Sequence, residues 1–184
     1  MSSDILKLLN DRKASRAYSS GPLPNKIIDK LMNAAQLSAS CFNNQPWRFL
    51  FLTNEETLEK AGKALSKGNS WAKKAPLLIV GFSKPDLDCQ MPDGREYYLF
   101  DLGMAVQNIL LQATELNLVA RPMAGFNPDI LKKEFNLPVE FEVIVMIAVG
   151  FDGDINELDK KIQIASTAPR KRKLITENFF LDGL

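Results

Sequence analysis

The chain has 184 residues, 46% of them hydrophobic and 24% charged, the makeup of one globular domain able to bury a core. Its formal charge of +1 excludes a general attraction to nucleic acid or to an anionic membrane, so any basic site must be local. It has no histidine, which removes the commonest general base, the Ser–His and Cys–His dyads and most catalytic zinc sites.

The opening "SSDILKLLNDR" predicts a short helix, with a Ser/Asp cap ahead of Ile5, Leu6, Leu8 and Leu9. After "RKASRAYSSGPLP" a second helix is predicted over 25–37, entered through Pro24, with Ile27, Ile28, Leu31, Ala34 and Ala35 on one face. "WRFLFLT" reads as a strand, and Asn54 as the cap of a third helix through "EETLEKAGKAL". "PLLIVGFS" reads as a buried strand, and 84–95, rich in proline and acidic residues, as a loop. The longest helix is predicted over 96–117; it is apolar on most sides and must be covered by neighbours or by another subunit. "NPDILKKEF" reads as a short capped helix and "FEVIVMIAVG" as a second deeply buried strand. From 151 to 184 no clear period emerges until "TENFF", which suggests an extended arm whose Phe179, Phe180 and Leu181 need somewhere to bury. With no repeat and no linker, residues 1–184 read as a single α+β domain.

Two cysteines, Cys41 and Cys89, make no disulfide framework. Cys41 reads as a small buried residue or a backbone contact, and Cys89, in its polar loop, as a free thiol. Nothing resembles a signal peptide, and the longest apolar runs are too short to span a bilayer. A cytoplasmic location is expected, with no membrane partner and no bound metal.

Three clusters stand out. "RKASR" places Arg12, Lys13 and Arg16 between two apolar helices; "PRKRK" places Arg170, Lys171, Arg172 and Lys173 near the far end. Each alone reads as a solvated charge run. Brought together they would form a phosphate site. "ASCFNNQPWR" sets Asn43, Asn44 and Gln45 before an apolar strand. These amides either stabilise a turn or face a heterocycle edge with alternating carbonyl and N–H groups. A phosphate-type site paired with an imide-type site suggests flavin mononucleotide, and a cofactor of that kind suits a chain without a histidine base.

In order and spacing, "RKASR", "AAQLSASCFNNQPWRF", "LGMAVQNILLQATELNL", "RPMAGFN", "VIVMIAVGF" and "PRKRKLITENF" resemble the FMN-dependent nitroreductase family over nearly the whole chain. "NxQPW" is the most specific of these motifs. The resemblance implies a nitroreductase-like fold, a central mostly antiparallel sheet flanked by helices, with the C-terminal arm exchanged in a homodimer. It implies FMN held at the phosphate by Arg12, Lys13 and Arg16, near the Ala14 backbone, and by Arg170 and Arg172. It implies that Ala39, Ser40, Cys41 and Asn43 reach the cofactor from the other subunit, with Gln45 shaping that loop. Backbone N–H groups of Met123, Ala124 and Gly125 would approach flavin N5 and O4. The implied reaction is ping-pong: NAD(P)H reduces the flavin, then an electron-poor acceptor such as a nitroaromatic or quinone is reduced. No catalytic side chain is named.

The chain departs from the family pattern in having Ala14 where serine is common, Ala39 for the usual proline and Ala124 for an acidic residue. Its segment 81–96 is also too short for the extra helices of larger members. Two other function classes stand beside a reductase. One is a flavin protein of the same fold devoted to flavin breakdown, dehalogenation or storage. The other is a flavin-free module contacting nucleic acid through "PRKRK", against which the near-neutral charge argues, so no nucleic-acid partner is expected.

Overall fold

A computed structural model describes residues 5–183. Four strands form one antiparallel sheet in the order β1-β2-β4-β3: β1 is Arg48–Leu52, β2 Leu77–Ser83, β3 Leu118–Met123 and β4 Glu142–Phe151. The long apolar runs occupy the middle of the sheet. In β2 and β4, Leu77, Ile79, Ile147 and Val149 point to one face, while Leu78, Val80, Met146 and Ala148 point to the other. Both faces are covered, which is why these strands are apolar without alternation.

On the first face lie α2 (Asn25–Gln36) and α4 (Tyr97–Glu115), packing Leu31, Leu102, Ala105 and Ile109 onto the sheet. Over the second lie α3 (Glu55–Ala64), a 3-10 segment Lys67–Lys74 and α5 (Pro128–Glu134), with Ala61, Trp71 and Leu131 buried there. The caps read from the sequence are in place. Asn54 accepts from the Thr57 amide, and Asn127 from Asp129 and Ile130. The first helix is only α1 (Lys7–Asp11); the Ser/Asp cap expected at residues 2–4 lies outside the described residues.

Two elements went unread in the sequence. β3 holds Arg121 and Pro122 and lacks a strand pattern, but it is an edge strand, where a residue without an N–H is tolerated. α6 (Lys160–Thr167) interrupts the arm; Ile162 is partly buried while Ile164 is exposed, so its apolar period is weak. Beyond α6 the chain is an extended arm with one short 3-10 turn. Its Leu174, Ile175, Phe179, Phe180 and Leu181 stay exposed in the single chain. Among the described residues no helix is long and apolar enough to cross a membrane.

Candidate functional site

The two basic stretches, more than 150 residues apart, meet at one cavity of about 680 Å³. Arg12, Lys13, Ala14 and Ser15 line one side, and Arg170 and Arg172 another. The arm is fastened there by Arg170, which donates to the Leu9 and Arg12 carbonyls. Burial lowers the Arg12 pKa first, and the charges of Arg170 and Arg172 lower it further. Among the described residues, Lys13 pairs with Asp152, but Arg12, Arg170 and Arg172 form no ion pair. Three guanidinium groups thus repel one another around a space whose two carboxylates, Asp152 and Asp154, pair with none of them; Asp152 is taken by Lys13. An anion of two charges bearing several acceptor oxygens is the group this arrangement stabilises.

Arg16 does not line the cavity; its guanidinium donates to Ser166 Oγ on α6 at 3.1 Å, which docks that helix beside the first basic motif. Ser15, the neighbour of the missing motif serine, faces the cavity but spends its Oγ on the Ala17 amide, so a phosphate bond from a serine at position 14 is not replaced freely.

Sequence reasoning missed Arg121. From β3 it donates to the Ala14 carbonyl at 2.6 Å and stacks over Trp71 at 5.5 Å. Burial, then the charge of Arg16, lowers its pKa. A lone arginine beside a proline gives no signal in the sequence; only the sheet brings it to the basic motif. Trp71 is core: it stacks on Tyr18, and its indole N–H donates to the Gly68 carbonyl.

Gly153 was also unseen. A Cβ there would lie 2.4 Å from the Tyr18 carbonyl carbon and 2.7 Å from the Ser19 nitrogen, both backbone atoms. No side chain can turn aside to make room. Gly153→Ala is expected to push 151–154 off 17–19 and destabilise the chain by about 1–3 kcal/mol. Thermal denaturation should show Tm falling by roughly 2–4 °C for each kcal/mol; an unchanged Tm would mean that this approach is looser than it is drawn.

Met123 ends β3, and the following turn is pinned by Gly125, whose carbonyl accepts from the Ser66 amide and from Asn69 Nδ2. Neither the Ala124 nor the Gly125 amide finds an acceptor among the described residues. Arg121, two residues earlier, makes this turn adjoin the Ala14 segment.

The segment Ala39, Ser40, Cys41, Asn43 and Gln45 does not line the cavity of its own chain. It is a tight turn with φ of 45° at Phe42, 60° at Asn43 and 50° at Gln45. The amides hold this turn themselves. Gln45 donates from its backbone to Ser40 Oγ and from its side chain to the Asn43 carbonyl, and it accepts from Gln36. Asn44 donates to Asp88 at 3.2 Å. Within one chain the turn reading of "NNQP" therefore prevails over a direct role of those amides, while Phe42 is left 93% exposed at the tip.

The cysteine expectation is corrected. Cys41 and Cys89 are joined in a disulfide, and no cysteine is free. They lie 48 positions apart on two loops, and the fold of those loops brings their Cα atoms to 6.2 Å. The carboxyl of Asp101, on the second turn of α4, accepts from the Cys41 amide at 2.7 Å. Burial raises the Asp101 pKa; the Cys41 bond lowers it, and the neighbouring Asp88 raises it again. Tyr98 is packed inside, Tyr97 lies against Phe100, and Arg48 donates only to the Gln45 and Trp47 carbonyls.

Known proteins share this fold. A solved oxidoreductase containing FMN superposes with a TM-score of 0.89 at 26% identity, covering 100% of this chain and 94% of that one. A nitroreductase family protein of Clostridium difficile 630 gives 0.81 at 27% identity, covering 96% and 97%. A Methanothermobacter thermautotrophicus protein, provisionally named NADH dehydrogenase/NAD(P)H nitroreductase, is 28% identical over 156 residues, 82% of this chain and 78% of its own length. The model of the nitroreductase family matches residues 9–80 and 66–151, which take in the first basic motif, the amide turn and the whole sheet and leave out Arg170 and Arg172. By this match the chain belongs to the nitroreductase family.

Proposed function

We propose that this chain is an FMN-dependent oxidoreductase that takes hydride from NADH or NADPH and reduces an electron-poor small molecule, such as a nitroaromatic or a quinone, through one site used in turn. The observation that carries this reading is the meeting of Arg12, Arg170 and Arg172 at one cavity, none of them in an ion pair among the described residues although Asp152 and Asp154 also line it. Such a donor set fits the phosphate of FMN, and the volume lies in the range of cofactor pockets. The FMN-containing neighbour supports the same group.

Bound flavin would supply the hydride chemistry. The chain's own residues bind and orient. Arg12 and Arg172 grip the phosphate, Lys13 and Arg170 add charge, and the Ala14 backbone, held by Arg121, sets the floor. Arg16 secures α6 through Ser166. The free amides of Ala124 and Gly125, next to Met123, are donors for the ring edge. Ala39, Ser40, Cys41, Asn43 and Gln45 complete the site from a second copy, with the exposed Phe42 reaching outward at the tip of that turn. The chain is thus a homodimer in this proposal.

The test is an anaerobic titration of the FMN-loaded protein with NADH and with NADPH, read at the flavin absorbance band. At least one nicotinamide should bleach the band within seconds, and a quinone or nitroaromatic should restore it. Protein that binds FMN but is bleached by neither supports a flavin protein of other chemistry. Protein that stays colourless after incubation with FMN and desalting overturns the flavin reading itself.

A further inference from the structure

The flavin reading uses Cys41 only as part of its turn and leaves the cluster around its sulfur without a task. Cys41, at the start of the amide turn, and Asp88 and Cys89, on the loop between β2 and α4, place their two sulfur atoms and one carboxylate oxygen within 4.8 Å of one another. Asp88 is 7% and Asp101 0% exposed. Each keeps one oxygen paired, Asp88 with Asn44 and Asp101 with the Cys41 amide, and each has a second buried oxygen with no partner. Neither carboxyl meets a lysine or arginine among the described residues. Buried carboxylate oxygens left bare are costly; Asp88 and Asp101, side by side, call for a proton shared between them or for a cation.

We infer that this is a redox-gated binding site for a thiophilic divalent cation of the zinc class. In the disulfide form the sulfurs are neutral and weak ligands. A dithiol reductant opens the bond: its two thiols become a disulfide, and Cys41 and Cys89 each gain an electron and a proton. The cation then displaces the two thiol protons and is held by two thiolates and the Asp88 carboxylate. A water molecule fills the fourth position. Tetrahedral zinc places its sulfur and oxygen ligands about 2.0–2.3 Å from the metal, hence roughly 3.3–3.8 Å from one another. Side chains already within 4.8 Å, on Cα atoms 6.2 Å apart, reach that spacing by rotation of their χ angles. Thiolates with carboxylate select zinc over calcium or magnesium, which take oxygen alone. No histidine is needed, so a chain without one can still build this site.

A cation here would tie the amide turn to the β2–α4 loop, as the disulfide does, but reversibly with the thiol pool. The site stands apart from the phosphate cavity, none of whose lining residues it shares. Cys41 is shared with the turn proposed to reach the other copy's flavin, so the test is made on FMN-free protein and read at the metal.

The experiment uses the full chain and cobalt(II) alone, then zinc(II) alone in competition. Protein reduced by a phosphine, its thiols counted by chromogenic titration, should bind one cobalt per chain with an intense near-ultraviolet thiolate-to-metal band that zinc abolishes. The same protein oxidised with diamide should show no such band. Cys89→Ser and Asp88→Asn should each weaken binding roughly tenfold or more. Where a variant fails to fold, the comparison of reduced and oxidised native chain decides alone. Cobalt bound without the thiolate band, or equally by both forms, overturns the inference.

Discussion

Replacing Arg12 and Arg172 together with alanine is expected to weaken FMN binding by roughly 150-fold and to erase any preference for FMN over riboflavin. Each guanidinium would lose a charge-assisted hydrogen bond to phosphate, worth about 1.5–3 kcal/mol. Arg172 is exposed and Arg12 only half-buried, so the lower figure applies to both and the sum is about 3 kcal/mol. The fold should not suffer. Arg12 contributes its carbonyl, not its side chain, to the contact with Arg170, and alanine keeps that carbonyl. Removing two of three like charges relieves the repulsion that, after burial, lowers the Arg12 pKa. The flavin-free variant should therefore melt no lower than the flavin-free native chain, while the stabilisation by added FMN disappears. Calorimetric titration with FMN and with riboflavin, beside melting curves, checks this. A lower Tm with unchanged FMN affinity would assign the two arginines a structural task and remove the phosphate from this cavity.

That prediction joins residues from the two ends of the chain, and it shows what could and could not be read beforehand. The central strands were legible because β2 and β4 are buried on both faces and so run apolar without a break. α2 and α4 were legible by period, and α3 and α5 by their asparagine caps. Where burial is one-sided or brief, the signal fails: β3 carries Pro122 at an edge, and α6 covers little with Ile162 alone. The basic motifs were visible as charge, but their meeting is a tertiary fact, and so is the reach of Arg121 to Ala14. Cys41 and Cys89 carry no sign of pairing at a separation of 48 residues; two loops must first close on Asp88 and Asp101. The segment expected at the cofactor, 39–45, sits away from its own chain's cavity, which only a second copy would reconcile with the resemblance.

The arm provides the means to test that second copy. Phe179 and Phe180 are 70% and 56% exposed, Leu181 more so, and Leu174 and Ile175 lie open beside them. Arg170 fastens only the start of the arm, leaving this apolar end without cover in the single chain. A contiguous apolar patch of that kind marks an interaction surface. In the proposed dimer, exchange between two copies would cover it twice, and the two-fold symmetry would apply equally to both amide turns. Phe179→Asp with Phe180→Asp removes four rings from such a dimer. At about 1.5 kcal/mol for each buried ring the loss is about 6 kcal/mol, or roughly 10⁴-fold in the dimer dissociation constant. Sedimentation equilibrium should find the native chain dimeric and the variant monomeric at micromolar concentration, and the variant should lose FMN on dilution. The Arg12/Arg172 variant should remain dimeric, because its lost contacts face the phosphate and not the partner. A native monomer that keeps its flavin would end the case for exchange, since the site would then be complete within one chain and the exposed arm would need another explanation.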